Sequence, residues 1–246
     1  MNPEYINGWW LTTDQHLGVS AGGYNDKQRY NAHKVKDALI AAGWTLNAVC
    51  GTLGNMQCES YMSPAFIQAT NRWRLPNSAA DLSDVPNSVM ENFYREYYGD
   101  PNRAYGIGLV QWDGLGITRQ KLVGYAENNG WNWYDGDTQT SRILYEQTNN
   151  IQWQSTVTID GVAYNWSTYP TGTATPENMS EAWRCGYEVG GDDTVIQRQE
   201  NARRWYDYFI TDPPMPPGPS QGLPSWVYFA YNNNKRKVMK RVRIQR

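Results

Sequence analysis

Apolar side chains recur at helical spacing in several stretches of the chain, which predicts a mainly helical protein. The first helix is expected over 26–42, where Gly43 is placed to end it. Thr45 can cap a second helix, whose apolar stripe runs out near Glu59. The same spacing and its capping residues predict further helices over 90–97, 118–129, 138–149, from Pro176 through Trp183, and from a capping Asp193 through Phe209.

Two stretches depart from the helical spacing. Residues 156–159 are rich in β-branched side chains and precede Asp160-Gly161, which favours a tight turn, so a short β-hairpin is expected there. The segment AYGIGLVQWDGLG, residues 104–116, contains too much glycine for a strand or an exposed helix. The fold class that follows is α+β and mainly α, a helical domain with one short hairpin.

Changes in composition divide the chain into four regions. Residues 1–24 are rich in glycine and aromatic side chains without a clear period, which predicts an N-terminal arm. Residues 25–211 carry the helices and the hairpin and form the predicted main domain. Residues 212–224 contain six prolines and are expected to be a stiff, extended linker. Residues 225–246 contain seven Lys and Arg side chains and no acid, which predicts a small basic hairpin or tail.

The net charge and the aromatic content limit what the protein can bind. The formal net charge is −2, so the chain as a whole does not have the charge of a nucleic-acid-binding protein. It contains 12 Trp and 18 Tyr but only 4 Phe. Rings with polar atoms suit a surface that stacks on sugars and hydrogen-bonds their hydroxyl groups. The alternative is that these rings fill the core and its edges, since large aromatic side chains dominate cores as well.

Few residues are available for metal, thiol or cofactor chemistry. Cys50 and Cys58 are about 12 Å apart on one helix by its rise per residue, so buried free thiols are expected, with a bridge to Cys185 as the alternative. The two histidines, His16 and His33, form no metal motif with the cysteines and acids. The sequence has neither a phosphate-binding loop nor a dinucleotide motif, and it therefore predicts no cofactor. No stretch has the length and apolar character of a transmembrane segment or a signal peptide.

Glu59 is the first candidate for acid–base chemistry. It is expected at the C-terminal end of the second helix, where the helix dipole disfavours a negative charge. Its sequence neighbours Cys58, Tyr61 and Met62 are poorly polar, so partial burial would favour the protonated form. A carboxyl that stays protonated near neutral pH can donate the proton that cleavage of a glycosidic bond requires. The alternative is an ordinary solvated charge at a helix end.

Residues 105–113 form the second candidate. Two glycines there let the backbone approach a ligand or a neighbouring helix closely. Beside them, Gln111 can hydrogen-bond a sugar hydroxyl or an N-acetyl group, and Tyr105 and Trp112 can hold a sugar ring. Asp113 adds a second carboxylate. The structural alternatives are a satisfied buried amide for Gln111 and a turn or cap residue for Asp113.

Together the two motifs resemble those of the lysozyme superfamily, in its goose-type and lytic-transglycosylase branches. They are Glu59-Ser60 followed by Pro64, and Gly106-Ile107-Gly108-Leu109-Val110-Gln111-Trp112-Asp113. With the preceding run LGNMQC and Arg119 downstream, the chain is most similar to the phage tail lysozyme family, over residues 26–210. The resemblance implies a lysozyme-like helical domain and a muramidase, a lysozyme-type glycoside hydrolase that opens peptidoglycan during infection.

The resemblance also implies a role for each matching residue. Glu59 takes the place of the general acid, and Gln57 and Ser60 support it or contact the substrate. Gln111 falls at a position that lines the cleft. Asp113 matches the acid that positions the attacking water in goose-type enzymes, and such an inverting attack needs two carboxyls on the order of 6.5–9.5 Å apart.

Departures from the family pattern keep alternatives open. The transglycosylase motif Ala-Tyr-Asn occurs only at 230–232, beyond the proline-rich linker, which favours hydrolysis. Met62 stands where transglycosylases usually have an aromatic residue. A lytic transglycosylase, or a structural tail protein that binds glycan without turnover, are the remaining alternatives. Tyr187-Glu188 is a further candidate to reach the cleft from the C-terminal side.

The expected partners are the glycan strand of peptidoglycan and other virion proteins, the latter through the linker and the basic tail. Alternatives for the tail are anionic wall polymers, lipid head groups, or no partner beyond solvent. The resemblance implies a place in the phage tail, after assembly in the host cytoplasm, and action on the host cell wall. Free thiols agree with assembly in that compartment.

Overall fold

The computed structural model describes residues 5–11, 24–66, 106–112, 118–189, 192–216 and 218. The predicted helix over 90–97, the candidate residues Tyr105 and Asp113, and the basic tail 225–246 lie outside the described residues. The chain divides into two compact units, 1–216 and 217–246, and all described residues except Gly218 belong to the first.

Helices dominate the described part of the chain and confirm the mainly α fold class. They are α1 (Asp26–Ala41), α2 (Leu46–Ser60), α3 (Thr118–Asn128), α4 (Gly136–Thr148), α5 (Pro176–Trp183) and α6 (Val195–Phe209). A wide, π-type turn, Arg184–Glu188, continues α5. A short 3₁₀ turn, Asp192–Thr194, leads into α6.

Capping side chains begin two of these helices where the sequence predicts. The Thr45 hydroxyl accepts a backbone N–H of the first turn of α2 at 3.2 Å. Thr175 does the same for α5 at 3.3 Å, directly before a proline that suits the first helical position. The predicted cap Asp193 is wrong, because it lies inside the 3₁₀ turn and Thr194 precedes α6 without a side-chain cap.

Two short antiparallel hairpins accompany the helices. One pairs β1 (Tyr5–Ile6) with β2 (Trp9–Trp10), and the other pairs β3 (Val157–Ile159) with β4 (Val162–Tyr164). The second is the predicted hairpin. Its turn residues Asp160 and Gly161 both have positive φ angles, as a tight turn between twisted strands requires.

The first hairpin joins the predicted N-terminal arm to the core. The Trp9 ring is buried against Gly136, where an added Cβ would come within 2.1 Å of the indole. Its indole N–H donates to Asp137 at 3.0 Å. This part of residues 1–24 therefore packs on the start of α4.

Helix α2 lies at the centre of the domain and packs on both α5 and α6. Two glycines make the close approach possible. A Cβ at Gly51 would lie 2.7 Å from the backbone of Met179 in α5. A Cβ at Gly54 would lie 2.6 Å from the carbonyl oxygen of Arg198 in α6. Because the atoms in the way belong to backbone, a side chain at either glycine would push a whole helix away.

Many of the aromatic side chains belong to the core. Trp183 at the end of α5 stacks on Tyr187 with 4.1 Å between ring centroids. Four further rings surround Trp183, namely Trp44, Trp153, Trp166 and Tyr169. The interpretation of the Trp and Tyr content as core packing therefore holds for this cluster, whose last member, Tyr187, directly precedes Glu188 in the chain.

Candidate active site

Glu59 is the penultimate residue of α2, as the sequence predicts. Tyr61 ends the helix in the left-handed conformation, and its N–H donates to the carbonyl of Gln57. The Glu59 side chain is 24% exposed, so it is neither a free surface charge nor fully enclosed. Its carboxyl therefore keeps partial contact with solvent at the end of the helix.

Arg198 of α6 is the direct partner of Glu59. One terminal nitrogen of its guanidinium donates to Glu59, and the other donates to Glu188 and, at 2.7 Å, to Asn55. Its Nε donates to Thr194 at 2.8 Å. The guanidinium is therefore held by α2, by the turn before α6 and by the turn after α5, which fixes its position.

Glu188 is the second carboxyl of the site. It ends the π-type turn, and the following residue, Val189, adopts the left-handed conformation. The indole N–H of Trp183 donates to Glu188 at 3.0 Å. Burial, followed by the neighbouring charge of Glu59, raises the pKa of Glu188 to about 8, against the lowering effect of Arg198. Wide turns of this kind inside helical segments occur frequently at functional sites.

The surroundings of Glu59 differ from the sequence expectation. Cys58, Tyr61 and Met62 predict a poorly polar neighbourhood, whereas Arg198 places a positive charge on the carboxyl. The expectation is wrong because it considered only residues near Glu59 in sequence. A cation beside the last turn of α2 also complements the negative end of its dipole.

The residues 106–112 form a tight turn beside the end of α2. Ile107 and Trp112 pair as an isolated antiparallel bridge. The Ser60 hydroxyl donates to the carbonyl of Leu109 at 2.9 Å, and the N–H of Gly108 donates to the carbonyl of Phe66 at 2.8 Å. The two sequence motifs are therefore brought together through Ser60, next to Glu59 in the chain.

Near the contact between Ser60 and Leu109, Gln111 is half-buried and Gln57 is buried. Gln111 is half-buried, adopts a φ of 50°, and donates from its amide to the carbonyl of Gly108 at 2.8 Å. Gln57 is buried, and its Oε1 has no hydrogen-bond partner. Residues two apart on a helix point about 200° apart, so Gln57 faces away from the side of α2 that carries Glu59.

Trp112 lies in the core, 2% exposed. Its indole N–H donates to Glu146 at 3.3 Å. A ring so enclosed offers no face to a sugar, so the predicted stacking role of Trp112 has no support in this arrangement. The buried Gly106, by contrast, has the Gln111 side chain where a Cβ would lie, at 2.6 Å, which explains the glycine by close packing.

Sequence reasoning missed Arg198 and Glu146. Ala202 and Trp205 follow Arg198 by four and seven residues, so all three lie on the buried face of α6. A charged side chain on an apolar stripe is a signal that a buried partner exists, although it does not say which. The signal for Glu146 was weaker: it follows Arg142 by four residues, which is the spacing of an ordinary surface pair as well.

The chemistry available to the described residues is that of carboxyls and an arginine. No group of His, Cys, Asp and Glu in the described part of the chain is arranged to hold a metal ion. Cys50, Cys58 and Cys185 form no disulfide, in agreement with the predicted thiols, but only Cys50 is buried, whereas Cys58 and Cys185 are half-buried. Among the helices that the structure describes, none combines the length and the hydropathy needed to cross a membrane.

Comparison with known proteins identifies the class. The model of the phage tail lysozyme family matches residues 30–209, and the chain belongs to that family. Morphogenesis protein 1 of Bacillus phage B103 is 27% identical over 176 residues, which cover 72% of this chain and 38% of that protein. The chain thus aligns with well under half of this relative. By family it is a phage-associated, lysozyme-like protein.

Proposed function

We propose that the protein is a muramidase that hydrolyses the β-1,4 bond between N-acetylmuramic acid and N-acetylglucosamine, with Glu59 as the proton donor. The position of Glu59 carries the proposal. It is the partly exposed carboxyl at the end of the central helix, fixed from behind by Arg198 and adjacent to the residue that contacts the 106–112 turn. A general acid needs this combination of access and fixed orientation.

In the reaction, the Glu59 proton moves to the glycosidic oxygen as the bond to the anomeric carbon breaks. Water then supplies the hydroxyl group at that carbon, and its second proton leaves to a base. Asp113 is the proposed base or water-orienting residue. After the transfer, Glu59 is a carboxylate, and the Arg198 guanidinium beside it stabilises the new negative charge. The steps use no cofactor.

The other proposed site residues divide into supporting and contacting roles. Ser60 supports the site by joining α2 to the 106–112 turn. Trp112 supports it from the core through its bond to Glu146. Gln111, at the half-buried surface of the turn, is proposed to contact the N-acetyl group or a hydroxyl, and Tyr105 to hold the sugar ring. Gln57, buried on the opposite side of α2, is assigned a supporting role.

We place the protein in the phage tail, assembled in the host cytoplasm and acting on the host cell wall. Its proposed partners are the peptidoglycan glycan strand and neighbouring virion proteins, reached through residues 212–246. The family match supports the virion setting, and the basic charge of 225–246 is suited to an acidic protein surface. Removal of 225–246 should reduce incorporation into virions while the activity of the purified protein on peptidoglycan persists.

The decisive variant is Glu59→Gln in the full chain. Loss of a general acid typically costs about 10²–10⁴-fold in rate, so release of soluble fragments from purified peptidoglycan should fall by that factor. Glu200→Gln, an exposed glutamate of α6, is the matched control and should keep the wild-type rate. Wild-type clearing by Glu59→Gln would show that Glu59 is not the acid.

Product analysis tests the rest of the proposal. Mass spectrometry of the fragments should find muramic acid with a free reducing end, because water completes the reaction. Ends with a 1,6-anhydro ring would instead identify a lytic transglycosylase. Glycan binding without any fragment release, by a preparation that is folded and pure, would identify a binding protein that retains the family fold.

A further inference from the structure

Two carboxyl groups share one arginine at the proposed site. We propose that Glu59 and Glu188 jointly hold one proton across Arg198, and that Glu188 is a positioning residue that gives up its share when the glycan covers Glu59. The inference rests on the proposed role of Glu59 as general acid and adds the source of the proton that it donates.

The position of the Arg198 guanidinium is fixed, so it cannot move toward one carboxyl and break its contact with the other. Its three nitrogens bond Thr194, Asn55 and both glutamates, and these partners come from three separate segments. Asn55 is itself fixed by its bond to the carbonyl of Ser180 at 3.0 Å. Because one fixed cation holds both acids close together, each acid feels the charge of the other, and their protonation is coupled.

The charges that face Glu188 come from several elements. Arg198 of α6 is the cation, and Glu59 of α2 is the acid. The side chains of Cys58 on α2 and of Tyr169 and Tyr187 also interact electrostatically with Glu188. Burial raises the pKa of Cys58 to about 11, and it raises the pKa of both tyrosines above the ordinary tyrosine value. All three groups are therefore neutral near pH 7. Arg198 also interacts with Glu181, whose pKa is lowered chiefly by its hydrogen bond from Arg184. The two acids that contact the Arg198 guanidinium directly are Glu59 and Glu188.

Exposure decides which acid carries the proton in the free protein. The Glu188 side chain is 7% exposed and that of Glu59 is 24% exposed. Water stabilises a charge on the more exposed acid, so the proton favours Glu188. The raised pKa of Glu188, about 8, agrees with this distribution near neutral pH.

Binding of a glycan reverses the preference. A sugar that covers Glu59 removes its water, which disfavours the negative charge there. Glu188 retains its bonds from Arg198 and from the Trp183 indole, and these favour the charged form. One proton therefore leaves Glu188 and one binds Glu59 through solvent, with no change in the total. Glu59 then holds the proton that the glycosidic oxygen accepts.

The first test is the pH dependence of kcat/KM for Glu188→Gln, which imitates the protonated residue. Without the negative charge of a second acid, Glu59 alone faces Arg198, so the basic limb of the profile should move to lower pH. Glu188→Asp, which restores the charge, should recover part of the shift. A uniform loss of rate at every pH, with both limbs unmoved, would mean that Glu188 only supports the fold.

The second test does not need turnover. In ¹³C NMR of the full chain with labelled glutamate carboxyls, the signals of Glu59 and Glu188 should each titrate in two steps. In Glu188→Gln and in Glu59→Gln the remaining carboxyl should titrate in one step. Two independent single steps in the wild type would overturn the shared proton. If Glu59→Gln degraded peptidoglycan at the wild-type rate while the wild-type protein still showed two-step titration, only the proposed function would be overturned.

Discussion

Two arginine–glutamate clusters contact neighbouring residues of the π-type turn Arg184–Glu188, and they differ in how far their carboxyls are exposed to solvent. Tyr187 of the π-type turn donates to Glu146 at 2.5 Å, and the next residue, Glu188, accepts from Arg198. In the first cluster, Arg142 and Glu146 are 5% and 0% exposed. In the second, Glu59 reaches the surface at 24%. Similar residue types thus form a closed cluster, Arg142 with Glu146, and an open cluster, Arg198 with Glu59 and Glu188.

The closed cluster joins elements and has no access for a ligand. Glu146 accepts from Arg142 at 2.8 Å, from Trp112 and from Tyr187, so it connects α4, the 106–112 turn and the turn after α5. The Arg142 guanidinium also lies over the ring of Tyr125, 5.3 Å from its centroid. A buried ion pair by itself therefore does not mark a candidate catalytic residue, and partial exposure distinguishes Glu59 from Glu146.

The largest predicted effect is the loss of stability in Glu146→Ala. Removal of one partner from a buried pair leaves Arg142 uncompensated and typically costs about 3–5 kcal/mol. Urea unfolding followed by tryptophan fluorescence measures the change. Glu59→Gln should cost far less, because Arg198 keeps Glu188 and Asn55.

The control for this comparison is Glu200→Ala, an exposed member of a surface pair, which should stay within about 0.5 kcal/mol of the wild type. If Glu146→Ala proved as stable as this control, the closed cluster would not be the structural element that its burial indicates.

A smaller loss is expected for Tyr187→Phe, which removes a single donor from the closed cluster. Hydrogen bonds to charged groups are worth about 1.5–3 kcal/mol, and Glu146 keeps its bonds from Arg142 and Trp112. The rate per folded molecule should persist, because the adjacent Glu188 keeps Trp183 and Arg198. A rate loss comparable to that of Glu59→Gln would show that the two clusters act as one unit.

The open cluster should be more sensitive to helix position, and Gly54→Ala tests this. The new Cβ would meet the backbone of Arg198 at 2.6 Å, so α6 must shift, at about 1–3 kcal/mol. Activity should fall with stability, because Arg198 moves with its helix. Gly124→Ala in α3 is the control: its Cβ would meet nothing within 4 Å apart from the backbone of its own helix, so it should stabilise the protein by about 0.5–1 kcal/mol. Unchanged activity in Gly54→Ala would mean that the site tolerates displacement of Arg198.

Local signals were sufficient to predict the six described helices, apart from the cap of α6, and the position of Glu59 at the end of α2. Caps such as Thr45 and Thr175 and stop residues such as Gly43 act within a few residues, so the sequence order contains the whole signal. The end of α2 and the β3–β4 turn were predicted for the same reason. The resemblance implied that Ser60 supports Glu59 or contacts the substrate, but its contact with the 106–112 turn became visible only in the structure.

The partners of Glu59 could not be predicted, because they depend on contacts between distant residues. Arg198 is far along the chain, and its approach depends on Gly54, whose role appears only when two helices pack. The burial of Trp112 was missed for a different reason. An indole suits both a core and a sugar-binding surface, and the residue type alone does not distinguish them.

The smallest predicted effect concerns the helix that leads into both clusters. Thr175→Ala removes the cap of α5, which typically costs about 1 kcal/mol. The exposed Thr171→Ala in the preceding loop is the control and should change stability by less than about 0.5 kcal/mol. Activity should be unchanged in both, because Tyr187 and Glu188 are held by their own partners, Glu146 and Arg198, rather than by the start of α5. A tenfold loss of activity in Thr175→Ala alone would show that the turn depends on the whole helix, and the open cluster would then be less independent of the fold than its contacts indicate.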